Sequence, residues 1–241
     1  MKKQKITVSW SGGKDSAFAL YKILLSNKYE VVGLHTLIGE ETRRVGLHGV
    51  REEMISLQAS ALGLPVEFIF LPSADDHQQY ESVMGTYYKI CKKNGTDAVL
   101  FGDIFLEDLK KYREGLLSDP GLIPVFPLWK IDSNILLNDF INLGFKTLIC
   151  SANAKFFNEE HLGKTIDSHF VKNLSSEVDV CGENGEFHTF VYDGPLFKKP
   201  VNFTLGEVVK KDYTYHKKND DGSIGKLESS FWFQDILSRM A

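Results

Sequence analysis

An alternation governs what this chain can become. Short runs of β-branched and apolar residues take turns with longer segments whose apolar residues recur at helical spacing, and this continues to about residue 126. Residues 6–10, 31–37, 66–70, 98–101 and 123–126 read as strands, and 14–25, 50–62, 76–93 and 106–117 as the helices between them. Ser26-Asn27, Gly63 and Asn94-Gly95 stand where the first three helices should stop. The pattern predicts an α/β fold: a doubly wound, mostly parallel sheet with helices on both faces and right-handed crossovers. Such sheets bind ligands beyond the carboxyl ends of their strands, where the strand order reverses. The loops to inspect therefore follow Trp10, Leu37, Leu71 and Phe101.

The first of these loops is Ser11-Gly12-Gly13-Lys14-Asp15-Ser16. It joins an expected strand to an expected helix, whose first amides are unpaired and lie at the positive end of the helix dipole. Two glycines let the backbone approach an anion without a Cβ in the way. Ser11 and Ser16 add hydroxyl donors and Lys14 adds a positive charge, so the loop has the makings of a phosphate cradle. It is not the G-x-x-x-x-G-K-[ST] loop, because only Gly12-Gly13 precede Lys14 and Asp15 follows it.

Beyond Pro127-Leu128-Trp129 the alternation loosens. A helix over 134–143 and a strand over 146–150 are legible, then a Gly-rich turn at Cys181-Gly182-Glu183-Asn184-Gly185-Glu186. Strands follow from 201 to 235, joined by the turn Asn219-Asp220-Asp221-Gly222. The expected division is a nucleotide-binding domain over 1–130 and a smaller α+β domain over 131–241.

Bulk properties narrow the classes. The net charge of -4 argues against a protein that grips a nucleic-acid backbone, which ordinarily carries a basic excess. No apolar run approaches the roughly 20 residues needed to span a bilayer. Residues 6–10 are too short and polar for a signal-peptide core, so no membrane association and a cytoplasmic location are expected. Cys91, Cys150 and Cys181 are odd in number and far apart, which fits neither a disulfide framework nor a zinc ribbon. Cys181 and His188 with His161 match no zinc spacing. A homodimer stays open.

The loop resembles the PP-loop, S-G-G-x-D-S, of the N-type ATP pyrophosphatases, which have the adenine nucleotide alpha hydrolase-like (HUP) fold. Further stretches are similar to one branch of them: Leu47-His48-Gly49-Val50-Arg51, Gly102-Asp103-Ile104-Phe105, Pro127-Leu128-Trp129, and Cys181-Gly182-Glu183-Asn184-Gly185-Glu186-Phe187-His188-Thr189-Phe190. Together they resemble the diphthine–ammonia ligase family to about Phe197. The resemblance implies cleavage of ATP to AMP and pyrophosphate with Mg²⁺, adenylylation of a carboxylate, and amidation by ammonia. Archaeal and eukaryotic members more often read G-E-G-G-E-[YF]-E-T. The version here looks like a bacterial branch, which implies the chemistry without fixing the acceptor.

On this reading Ser11, Gly12, Gly13, Lys14, Asp15 and Ser16 hold phosphates. Asp15 either caps the helix or positions Mg²⁺, since a carboxylate beside phosphates needs a cation between. His35, expected near the end of the second strand, meets adenine through backbone groups. His48 and Arg51, one helical turn apart, face the phosphates together. Gly102 and Asp103 lie at a strand end, where the carboxylate meets metal or the attacking amine. Glu183 and Glu186 bind ammonium or take its proton, with His188 as the alternative base. Trp129 and Phe190 read as core. The competing functions are a tRNA-modifying enzyme of the same superfamily, which usually needs a reactive cysteine pair and a basic surface, and a nucleotide sensor without turnover.

Overall fold

A computed structural model describes residues 2–72, 77–218 and 224–239. The first half alternates β1 (Gln4–Ser9), α1 (Lys14–Ser26), β2 (Tyr29–Gly39), α2 (Glu52–Leu62), β3 (Val66–Leu71), α3 (His77–Lys93), β4 (Ala98–Leu100), α4 (Glu107–Ser118) and β5 (Ile123–Val125). Its five strands are all parallel, in the order β3-β2-β1-β4-β5. The order reverses between β1 and β4, so loop 11–16 and Gly102-Asp103 open onto the same crevice.

Apolar side chains fill both faces of this sheet. Ile6, Val8, Leu34 and Ile38 pack with Leu20 of α1 and Met54 and Ile55 of α2. On the other face Val99 and Ile69 pack with Met84 and Tyr88 of α3 and Leu117 of α4. The fold class expected from the alternation is the one observed.

The second half contains α5 (Ser133–Asn142), β6 (Lys146–Asn153), a 3₁₀ turn (Glu159–His161), α6 (Ser168–Asn173), β7 (Phe187–Asp193), β8 (Phe203–Lys218) and β9 (Ile224–Ser238). Four of these form an antiparallel sheet, β7-β6-β9-β8. Its inward residues Phe187, Phe190 and Ile236 belong to the same continuous core as Ile6 and Leu20. The aromatic rings of Phe18, Phe140 and Phe145 bind α1 to α5, with Phe140 and Phe145 stacked at 4.5 Å.

Several expected boundaries move. The second strand runs to Gly39, because Ile38 and Gly39 keep pairing with Phe70 and Leu71. His35 is therefore inside the strand rather than near its end. The second helix begins at Glu52, not Val50. Before it, Arg44 bridges to Arg51, and Gly49 takes a φ of 67° to close the turn. Strand β7 falls where the sequence looked irregular. The third helix is described from His77, and the expected turn Asn219-Asp220-Asp221-Gly222 lies outside the described residues. Among the described residues no helix is long and apolar enough to cross a membrane.

Candidate active site

Loop 11–16 is shaped by its glycines. Gly12 has a φ of 82°, and a Cβ there would stand 2.7 Å from Ile55 Cδ1. A Cβ on Gly13 would stand 2.8 Å from His48 Cε1. Ser16 Oγ donates to the Gly13 carbonyl at 2.9 Å, and the Ser11 hydroxyl lies 3.4 Å from it. Gly102 abuts this loop from β4. A Cβ on it would come within 2.8 Å of the Asp15 carbonyl carbon and 2.9 Å of the Ser16 nitrogen. The crevice at the strand-order reversal is thus closed to one backbone's thickness.

The second half of the chain completes the cradle. Lys14 N–H donates to Thr189 Oγ1 of β7 at 2.9 Å. The Lys14 ammonium, only 4% exposed, donates to both Asp15 oxygens at 2.8 Å and to the Cys181 carbonyl. Burial works most strongly against that ammonium, but the charge and hydrogen bonds of Asp15, together with Cys181 and Glu183, hold the pKa above its ordinary value. Val191 N–H donates to the Gly12 carbonyl at 2.9 Å. Gln58, fully buried on α2, donates to the carbonyls of Gly12 at 2.9 Å and Val191 at 2.6 Å while its own oxygen accepts from Trp10 Nε1 at 2.9 Å.

The two expected glutamates part company. Glu183 reaches across to the end of β4, where its Oε1 accepts from Ile104 N–H at 2.7 Å and Phe105 N–H at 3.4 Å. Burial pushes its pKa up to about 7, with Asp15 pressing the same way and the Ile104 amide pulling back. Glu186 instead turns inward, 3% exposed, and accepts from Asp179 N–H at 2.9 Å and Asn184 Nδ2 at 3.1 Å. Through that one oxygen it holds the 179–186 loop together, while its other oxygen is buried with no hydrogen-bond partner among the described residues. The reason the two part is the backbone: Gly182 and Gly185, with φ of 70° and 85°, turn the chain just before each of the two glutamates.

Of the other expected residues, Asp103 is buried beside the crevice and paired with Arg113 Nε at 2.8 Å. The Arg113 guanidinium lies 4.5 Å over the Phe101 ring. The rings of His48 and His188 meet at 4.7 Å, tilted by 39°, beside Gly13 and Thr189. His48 Nδ1–H donates to the Thr189 carbonyl at 3.2 Å. Burial lowers the His48 pKa to about 4 and takes His188 well below its ordinary value, so both rings are neutral near pH 7.

Arg51 and His35 lie apart from the phosphate cradle. Arg51 is not on a helical turn with His48; it caps α2 and makes a two-pronged pair with Asp235 of β9 at 2.9 and 2.7 Å. His35 is fully buried, its Nδ1 3.1 Å from the Thr7 hydroxyl and its carbonyl taken by Trp10 N–H at 2.8 Å. Neither reaches the cradle.

Thr189, Gln58, Arg113, Asp235 and the Cys181 carbonyl were not singled out in the sequence. One signal was available: Gln58 stands among Met54, Ile55, Ala59 and Leu62 on the buried face of a helix, where a polar residue needs partners. All three cysteines are buried, and burial pushes the Cys181 thiol up to about 12. Among the described residues no group of three His, Cys, Asp or Glu side chains could hold a metal ion.

The family model described as diphthamide synthase N-terminal domain matches residues 4–123, and that of the diphthamide synthase C-terminal domain matches 132–224. A diphthine–ammonia ligase of Homo sapiens is 31% identical over 223 residues, covering 83% of this chain and 82% of that protein. One from Danio rerio is 29% identical over 221 residues, covering 83% and 86%. One from Schizosaccharomyces pombe is 31% identical over 219 residues, but the match spans only 36% of that longer protein. A solved structure titled as a predicted subunit of tRNA methyltransferase from Methanocaldococcus jannaschii aligns at 19% identity and a TM-score of 0.40. That alignment covers 58% of this chain and 75% of that one.

Proposed function

The chain belongs to the diphthamide synthase family, and from that premise we propose that it is an ATP-dependent ligase forming a C–N bond, with AMP and pyrophosphate as products. The ATP phosphates lie on loop 11–16, against the first amides of α1, with the Lys14 ammonium buried behind them on Asp15 and the Cys181 carbonyl. A carboxylate oxygen of the acceptor attacks the α-phosphorus, and the bond to pyrophosphate breaks. Ammonia then attacks the acyl carbon, AMP leaves with the bonding electrons, and the nitrogen gives up a proton. Diphthine is the acceptor in the relatives' names; the reading for this chain commits only to a carboxylate.

Glu183 is the base in this account, and it is the observation that carries the reading. It comes from the second half of the chain, bonds the backbone just beyond β4, lies close enough to Lys14 and Asp15 to feel their charge, and has a pKa pushed up to about 7. A general base works best when its pKa lies near the operating pH. Asp103 lines the same crevice, its charge balanced by Arg113.

When bound, Mg²⁺ would neutralise phosphate charge. It keeps several waters and takes substrate phosphates with only one or two carboxylates, so a three-ligand cage is not required. Asp15 fits that sparse demand: it is 33% exposed at the cradle. The tRNA-modifying alternative gains no support from three buried cysteines.

The test is to supply ATP, Mg²⁺ and ¹⁵N-ammonium with a cell extract cleared of other ATPases, then follow AMP and the label. The expected outcome is AMP release that needs both extract and ammonium, with ¹⁵N entering an amide. ATP binding without turnover under these conditions would favour the sensor.

A further inference from the structure

Helix α1 begins without a cap of its own. Gly13 stands at the N-cap position with no side chain to accept one of the first amides. The acceptor comes from the far half of the chain: Lys14 N–H donates to Thr189 Oγ1 at 2.9 Å.

That hydroxyl is held firmly. Thr189 is 2% exposed, and its carbonyl accepts from His48 Nδ1 at 3.2 Å. Two residues on, Val191 is tied to Gly12 directly and through Gln58. An incoming phosphate would have to break several buried bonds to displace it.

The helix end therefore offers an uneven set of donors. Ala17 N–H already bonds the Gly13 carbonyl at 3.1 Å, and Lys14 N–H is occupied by Thr189. Among the described residues no backbone carbonyl outside the regular helix and strand ladders takes the amides of Asp15 and Ser16, whereas those of Lys14 and Ala17 are both paired. We infer that Thr189 is a positioning residue that sets the register of the triphosphate. By occupying the Lys14 amide, it leaves those of Asp15 and Ser16 as the pair that takes phosphate oxygens.

Register matters because the α-phosphorus must meet the attacking carboxylate within reach of Glu183. A misplacement of about 1 Å can cost on the order of 10²-fold in rate. This inference rests on the proposed ATP reaction, and its test separates the two.

Thr189→Val keeps the β-branched shape of β7 and removes the acceptor, while Thr189→Ser keeps the hydroxyl. ATP affinity, the ³¹P resonances of bound ATP and the rate of AMP formation are measured for each. In Thr189→Val the freed Lys14 amide gives ATP binding at least threefold tighter, altered ³¹P shifts and AMP formation at least tenfold slower. Thr189→Ser matches the parent in all three. If valine prevents folding, Thr189→Cys, whose sulfur is a weak acceptor, carries the same comparison.

Valine behaving as the parent overturns the inference. So does tighter ATP binding at an unchanged rate, which would make the hydroxyl a mere competitor, or serine as defective as valine. Altered ³¹P shifts in Thr189→Val together with no AMP from the parent protein would keep the register and refute the ligase reading. Absence of ATP binding by the parent would overturn both.

Discussion

Glu183 and Glu186 show how little spacing says about direction. Three residues apart around a glycine, they read as a pair of acids on one loop, yet one reaches the crevice and the other is walled in. Their substitutions should separate accordingly. Glu183→Gln should slow amide formation by about 10²-fold or more, the usual contribution of a positioned base. In the parent protein the rate should climb as pH rises through about 7, because the carboxylate must lose its proton before it can accept one. The variant should lose that rise, and a pH–rate profile of both proteins checks it. Glu186→Ala should instead cost roughly 1–3 kcal/mol of stability, since it orphans the Asp179 amide. Its pH profile should keep the parent's shape, and urea unfolding beside the same profile would show it.

Among the elements, the parallel sheet was legible because each strand and helix carries its own period, and the loops at the strand ends followed from that. What was not legible depends on distant contacts. Arg51 reads as a phosphate ligand by its nearness to His48, but its partner, Asp235, is on the last strand, 184 residues away. Strand β7 was missed because it is buried on both sides, so its residues do not alternate in polarity. Two expectations belong here. A methyl group on Gly102 would drive the end of β4 from the start of α1, so Gly102→Ala should weaken ATP binding and reduce AMP formation at least tenfold. Calorimetric titration with ATP checks it, and stability should fall by about 1–3 kcal/mol from overpacking. Asp235 has its pKa lowered to about 2 by Arg51 and Arg44, so its contribution is complete above 3.8 and is lost as pH falls from there toward 2. Asp235→Asn should remove that acid-sensitive part, seen as a shallower fall of unfolding midpoint between pH 4 and 2.

In the whole molecule the cradle is a joint product of both halves. The first supplies loop 11–16 and Gly102; the second supplies Thr189, the Cys181 carbonyl and Glu183; Gln58 fastens the two. Sequence reading could not find the fastening, which requires knowing that β7 lies on the loop. Gln58→Leu would leave the Val191 carbonyl and the Trp10 indole unpaired in the core and should cost roughly 2–4 kcal/mol in urea unfolding. The reaction assigned to this joint site is cleavage of ATP between its α and β phosphates. The measurement to make is the identity of the labelled product when ATP carrying the label on its α phosphate is incubated with Mg²⁺, ammonium and acceptor-containing extract. Labelled AMP, formed by the parent protein and lost in Asp15→Ala, is the expected outcome. Labelled ADP alone would contradict it.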